Sequence, residues 1–254
     1  MSGHRRQRRY QISHGRLISD IALVLGLLLL PASAEAATKY WIGAAGGSFN
    51  SDANWSQSSG GANNTTHPIS TDLAVFDSAG NTNCLMDSAV SVQGIDIQAN
   101  YTQTITQNAG VTLTIGSLGY AQADGIFTGG DSAIDINDKG FTLSGGAFTN
   151  SSGNMTVERN FTVSGGTFTN TSKTVTFDST DAFDDSTLTC TGSLGGTVAF
   201  NKTTTGADLT VASGCSIALG AGPTSTLGIA SSSTGLTNNG TITIASGTWT
   251  VNAS

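Results

Sequence analysis

The residue types in this chain that could carry acid–base chemistry are almost all carboxylates. Asp181, Asp184 and Asp185 lie together in STDAFDDST, and Asp131, Asp135 and Asp138 in GGDSAIDINDKG. Glycoside hydrolysis needs two carboxyl groups about 5–10 Å apart, and either cluster contains enough of them. The same oxygens could ligate Ca²⁺, but neither cluster follows a recognised calcium-loop spacing. Beyond residue 36 the only histidine is His67, in a loop among Asn and Thr. One imidazole is too few for a zinc site, and His67 reads as a solvated loop residue. No Gly-rich segment opens a helix, so a phosphate-binding loop is not expected. No cofactor and no metal follow from these residues. Both aspartate clusters read first as solubilising turns on the outside of the chain.

The elements holding these residues follow from composition. Charged residues make up 11% of the chain and Gly accounts for 33 of 254 positions, against about a quarter charged in ordinary globular domains. Val, Ile, Thr and Phe recur at short intervals between Gly, Asn and Ser clusters. This suits many short strands and tight turns, not a helical bundle. Residues 140–158 (GFTLSGGAFTNSSGNMTVE) repeat as 160–178 (NFTVSGGTFTNTSKTVTFD) at an offset of 20. Phe141 aligns with Phe161, Gly145–Gly146 with Gly165–Gly166, Phe148 with Phe168 and Asn150 with Asn170. Ile134–Ile136 aligns with Met155–Val157 at 21. TVAF (197–200), LTV (209–211), SIAL (216–219), TITI (241–244) and TWTV (248–251) continue the rhythm.

Apolar residues alternate within each unit, the pattern of a strand with one buried face. Each unit holds three such strands and three turns, as one coil of a three-sided parallel β-solenoid requires. A lone coil cannot bury its inward face, so the units must stack. Phe148 and Phe168 are then expected to stack inside. Asn150 and Asn170 should sit at a bend, with amides on turn backbone. The expected fold is all-β, a parallel β-helix-like solenoid of about 20 residues per coil; a β-sandwich is the alternative.

The chain divides into 1–36, 37–89 and 90–254. Residues 1–16 are basic, Ile21–Leu30 is an apolar run, and Pro31 precedes Ala34-Glu35-Ala36. This is the layout of a secretory signal peptide, with cleavage expected after Ala36. The run has ten residues, half of the ~20 a membrane-spanning helix needs. No second such run follows, so no transmembrane span is expected after cleavage. Export also makes a disulfide plausible chemistry. Cys190 and Cys215 lie about one coil apart and could pair, or be two small core residues; Cys84 is left over. Residues 37–89 read as an N-terminal cap in which Trp41, Trp55 and Phe76 cover the first coil. Residues 90–254 hold the repeats, and Ser254 falls in a strand-like segment, as in a shortened chain.

The order Tyr40-Trp41-Ile42-Gly43, then Asn54-Trp55-Ser56, Pro68 and Asp72-Leu-Ala-Val-Phe-Asp77, followed by alternating strands, resembles the start of bacterial secreted β-helix proteins. It is similar to autotransporter passenger domains and large surface-exposed repeat proteins over about residues 40–180. The resemblance implies a surface structural or adhesive module. It also brings in the β-helical polysaccharide lyases and hydrolases, which would place the aspartate clusters in a catalytic role.

Residues 1–36 carry five Arg against Asp20 and Glu35, whereas the rest carries 5 basic and 15 acidic residues, a net −10. An acidic surface repels phosphate backbones, so nucleic acid is not an expected partner. The expectation is an exported, extracellular or cell-surface β-solenoid with a structural or adhesive role and no catalysis. Its expected partners are cell-surface glycans, matrix or further copies of itself, met through exposed Thr and Asn ladders. The alternatives are a polysaccharide-active enzyme using an Asp cluster and a passive spacer of a larger surface protein.

Overall fold

The computed structural model describes residues 36–170 continuously and, beyond them, the backbone of strands between Val175 and Ile244. Residues 1–35, which hold most of the expected signal peptide, and TWTV lie outside the described residues. The repeat unit resolves into three strands, Phe141–Leu143, Ala147–Thr149 and Met155–Val157. Each pairs in parallel with its equivalent one coil later: Phe141 with Phe161, Phe148 with Phe168, Met155 with Val175. The chain is a parallel β-solenoid of about 21 residues per turn. The β-sandwich alternative is set aside by the pairing. Among the described strands one contact is antiparallel, Tyr40 and Trp41 of Ala37–Trp41 against Ser56 and Trp55.

Three faces result. The first stacks Val90, Leu113, Ile134, Met155 and Val175 inward. The second stacks Ile95, Tyr120, Phe141 and Phe161. The third stacks Cys84, Ile105, Phe127, Phe148 and Phe168. In the early coils one strand serves two faces: Val90–Ile97 turns the corner at a bulge between Val92 and Gly94, in contact with Leu113–Gln122. Later coils break there and become shorter strands. Coil pairing already extends into the 37–89 segment, since Gly47–Ser48 pairs with Cys84–Met86 and Asp72–Phe76 with Val90–Ile97.

The interior is apolar because strand alternation aims every second residue inward. Ring ladders dominate it. Phe127 and Phe148 stack at 4.7 Å and 8°, and Phe141 and Phe161 at 4.8 Å and 18°. Such pairs add about 0.5–1.5 kcal/mol beyond area burial. The aligned glycines have a geometric reason: Gly146 and Gly166 adopt φ of 71° and 70°, the left-handed region. A Cβ on Gly166 would also press on the Gly146 carbonyl of the coil below. Larger residues there would push successive coils apart.

The interior also holds amides. Gln122 takes an inward position, 1% exposed. The Tyr120 hydroxyl donates to its Oε1 at 2.7 Å, and its Nε2 donates to the carbonyls of Gly125 and Ala147 at 3.1 Å each. A buried amide is tolerated when its groups are partnered in this way.

Candidate functional site

At the N-terminal end Trp41, Phe49, Trp55, Phe76 and Tyr101 form one cluster with no exposed side chain. Trp41 and Trp55 meet edge to face at 5.3 Å, and Phe76 touches both at 5.8 and 5.6 Å. Trp55 Nε1 donates to the Phe49 carbonyl at 2.7 Å, and Trp41 Nε1 to Thr82 Oγ1 at 3.0 Å. Large rings fill the end of the coil while their N–H groups stay partnered.

Sequence inspection missed the charges that tie this end down. Lys39 is buried and pairs with Asp72 at 2.7 Å, both side chains 7% exposed. Its ammonium also donates to Thr66 Oγ1 and the His67 carbonyl at 2.9 and 3.0 Å. His67 is not simply solvated. Its Nδ1 lies 2.6 Å from Asp52 Oδ1, and its backbone N–H donates to the same oxygen. Those two hydrogen bonds hold Asp52 below the usual carboxylate range. The 57–71 loop is thereby tied to the coil near its C-terminal end, at Thr66 and His67. No residue pattern signals this, because the partners are 15 to 33 positions apart and their contact needs the coil.

Phe148 stacks on Phe168 at 5.6 Å and 8°. Asn150 and Asn170 are buried and also stack. The contact runs amide to amide, Asn150 Nδ2 donating to Asn170 Oδ1 at 3.1 Å, with Asn150 Oδ1 left unpartnered.

Asp131, Asp135 and Asp138 are spread along one coil: a bend, the middle of Ile134–Ile136, and the next bend. Asp131 accepts the Gly110 N–H at 2.6 Å and the Ser132 hydroxyl at 3.2 Å. These bonds hold its carboxyl below the usual range, the opposite of what a general acid needs. Asp138 has φ of 47° and lies 3.7 Å from Arg159 Nη2. Asp181, Asp184 and Asp185 lie outside the described residues, as do the side chains of Cys190 and Cys215. By backbone register Cys190 adjoins Val163 and Cys215 adjoins Gly192. Among the described residues no group of three His, Cys, Asp or Glu could hold a metal ion.

The fold also brings Lys139 and Arg159 to one cleft of about 350 Å³, with Ser117, Asp138 and Asn160. A second depression of about 290 Å³ lies on the other side of Lys139, floored by Leu73, Leu118 and Ala121 and bordered by Asp96. Charges of both signs meet there, Asp138 beside Lys139 and Arg159 and Asp96 beside Lys139.

The outer faces differ from one another. On the first two, each three-residue strand points two residues inward and one outward, leaving single columns such as Ser91, Thr114, Asp135 and Thr156. On the third face the phase is reversed, one in and two out. It therefore carries two adjacent columns: Thr104, Ile126, Ala147, Thr167 and Thr106, Thr128, Thr149, Thr169. None of these eight is charged. Their sequence signal is the repeated T/I/A-x-T tripeptide, but only the phase of the coil sets both columns outward.

These features define the chain as a parallel β-solenoid with ladder-packed interior and hydroxyl-rich outer faces. It matches no family model, no curated protein and no solved structure.

Proposed function

We propose that the chain is an exported, surface-displayed β-solenoid that acts as a structural and adhesive module without catalysis. The observation that carries this reading is the regular outward column Thr106, Thr128, Thr149 and Thr169 on a scaffold whose interior is filled by side-chain ladders. A stacked coil spaces identical hydroxyl donors and acceptors about 4.8 Å apart, which suits a repeating partner such as a glycan chain. The basic start, the Ile21–Leu30 run and Ala34-Glu35-Ala36 support export. The likeness of residues 40–180 to autotransporter passenger domains and large surface repeat proteins supports display at the cell surface. Among the described residues no helix is long and apolar enough to cross a membrane.

The test is a panel of cell-surface glycans read for both retention and released sugar. Retention without release is the expected result. Release of sugar would instead make the protein a polysaccharide-active enzyme and direct attention to Asp184, by Asp184→Asn. Silence in both channels would leave the spacer reading. N-terminal sequencing of the exported protein is expected to begin at Ala37.

A further inference from the structure

We infer that Lys39 and Asp72 condense into an isopeptide bond, a covalent clasp at the N-terminal end of the solenoid. The first observation is placement. Lys39 stands two residues before Trp41, and Asp72 two before Ala74, so alternation turns both side chains to the side of those core residues. Their strands are parallel neighbours, with Lys39 beside Ala74 and Ala37 beside Asp72. An amine and a carboxyl thus meet at inward positions, 2.7 Å apart and each 7% exposed. The other ion pairs among the described residues, His67–Asp52 and Arg159–Asp138, have side chains 32% exposed or more. Neither an imidazole nor a guanidinium forms a stable amide with a carboxyl.

The second observation is what surrounds the pair. In water, solvation of the ammonium and the carboxylate opposes condensation; a site that withholds water removes that opposition and favours the neutral groups. Fixed contact supplies the encounter, with effective molarities on the order of 10⁵–10⁸ M in well-oriented intramolecular reactions. The Ile69 N–H donates to Asp72 Oδ2 at 3.0 Å, where it holds the negative charge that builds on that oxygen as nitrogen attacks. Thr66 Oγ1 accepts from Lys39 Nζ at 2.9 Å and gives a departing proton a hydroxyl to pass through. Thr66 and Ile69 both belong to the 57–71 loop, so the segment that covers the pair also carries the groups that assist it.

The step balances within the protein. One proton passes from Nζ to the carboxylate, leaving a neutral amine and a carboxylic acid. The amine nitrogen attacks Cγ of Asp72, and a second nitrogen proton joins the departing carboxyl oxygen. An Nζ–Cγ bond forms, a Cγ–O bond breaks and one water leaves, with no oxidant, reductant or co-reactant. The amide carbonyl still accepts the Ile69 N–H, and the amide N–H still faces Thr66 Oγ1 and the His67 carbonyl. The closed ring ties Ala37–Trp41 to Asp72–Phe76, so a pull on the N-terminus loads a covalent bond and not only a β-ladder.

The inference rests on this geometry and not on export or glycan binding, so failure of the glycan panel leaves it standing. The ion pair is the state before the bond forms, and mass separates the two states. The folded full-length chain is incubated, its intact mass measured and its peptides mapped. The protein is expected to be lighter than its sequence by the mass of one water. Trypsin should leave Lys39 uncut, and the chymotryptic peptides carrying Lys39 and Asp72 should stay joined. Asp72→Asn is expected to give the same amide with loss of one ammonia, an outcome that an ion pair cannot imitate. Lys39→Arg keeps the positive charge and is expected to hold its full sequence mass. Should either variant fail to fold, the peptide map of the wild-type chain decides alone. A folded wild-type chain at its full sequence mass, with Lys39 cut by trypsin, overturns the inference. So does a loss of water that persists in Lys39→Arg, or that the map places elsewhere, such as Asp124-Gly125, where the Gly125 N–H donates to the Asp124 carboxylate at 2.8 Å.

Discussion

Phe148 lies on Phe168 with ring centroids 5.6 Å apart and planes 8° from parallel, one coil of chain between them. The pair extends downward to Phe127 and sideways, edge to face, to Phe141 and Phe161. Each coil thus supplies part of the core of its neighbours, and no coil is stable alone. Truncating Phe148 removes contacts on three sides, and Phe148→Ala is expected to cost about 3–5 kcal/mol. Thr149→Ala, one residue on and facing out, should stay within about 0.5 kcal/mol. Urea unfolding followed by circular dichroism measures both; equal effects would contradict the ladder.

The buried pair Lys39–Asp72 makes a different prediction. Lys39→Met leaves a 7%-exposed carboxylate without its cation. Breaking one half of such a pair costs about 3–5 kcal/mol. The double variant Lys39→Met/Asp72→Leu should recover much of that loss, because two apolar side chains restore packing without an orphan charge. Thermal melts of the three proteins decide it.

The Phe161–Val163 strand follows Phe141–Leu143 after 20 residues in the same register. Excising residues 141–160 joins Gly140 to Phe161 and keeps every remaining pairing in step. The shortened chain is expected to fold, with a smaller denaturant m-value because less surface is exposed on unfolding. An excision of ten residues would put a second-face strand on the wrong face and should not fold. Small-angle scattering should give a solenoid shorter by about one 4.8 Å rung for the first deletion.

Alkali should destabilise the N-terminal half. Burial pushes the phenols of Tyr101 and Tyr120 well above their ordinary value. The native state therefore keeps them neutral while the unfolded chain ionises them. Their contribution is fully present below about pH 10, the unfolded value, and is lost progressively as pH rises above it. Stability against urea should fall on that limb, with tyrosinate absorbance rising together with unfolding. Tyr101→Phe should flatten the limb, since its hydroxyl is engaged only with the Thr82 carbonyl at 2.8 Å. A limb unchanged in that variant would assign the loss elsewhere.

Much of the architecture was legible in one dimension. Alignment of Phe141, Phe148 and Met155 with Phe161, Phe168 and Val175 predicts the three parallel pairings, because a solenoid turns sequence period directly into spatial register. What stayed hidden involved residues without a period. Lys39 and Asp72 look like two scattered charges, and His67 like a loop histidine, until the 57–71 loop returns to the coil. The Asp131, Asp135 and Asp138 group shows the converse: close in sequence, it is drawn out along one coil by an intervening strand.

The sequence by itself determined the class of fold, the coil length, the inward ladder positions and the turn glycines, since each depends on local alternation repeated at a fixed offset. The tertiary structure decided which outward residues share a plane. Strand phase at each corner is set by bulges and turn geometry, not by composition. Reversing that phase on the third face gives two uncharged columns there and single columns on the other two. Outward residues therefore stand in two adjacent columns on one side of the molecule and in single columns on the others.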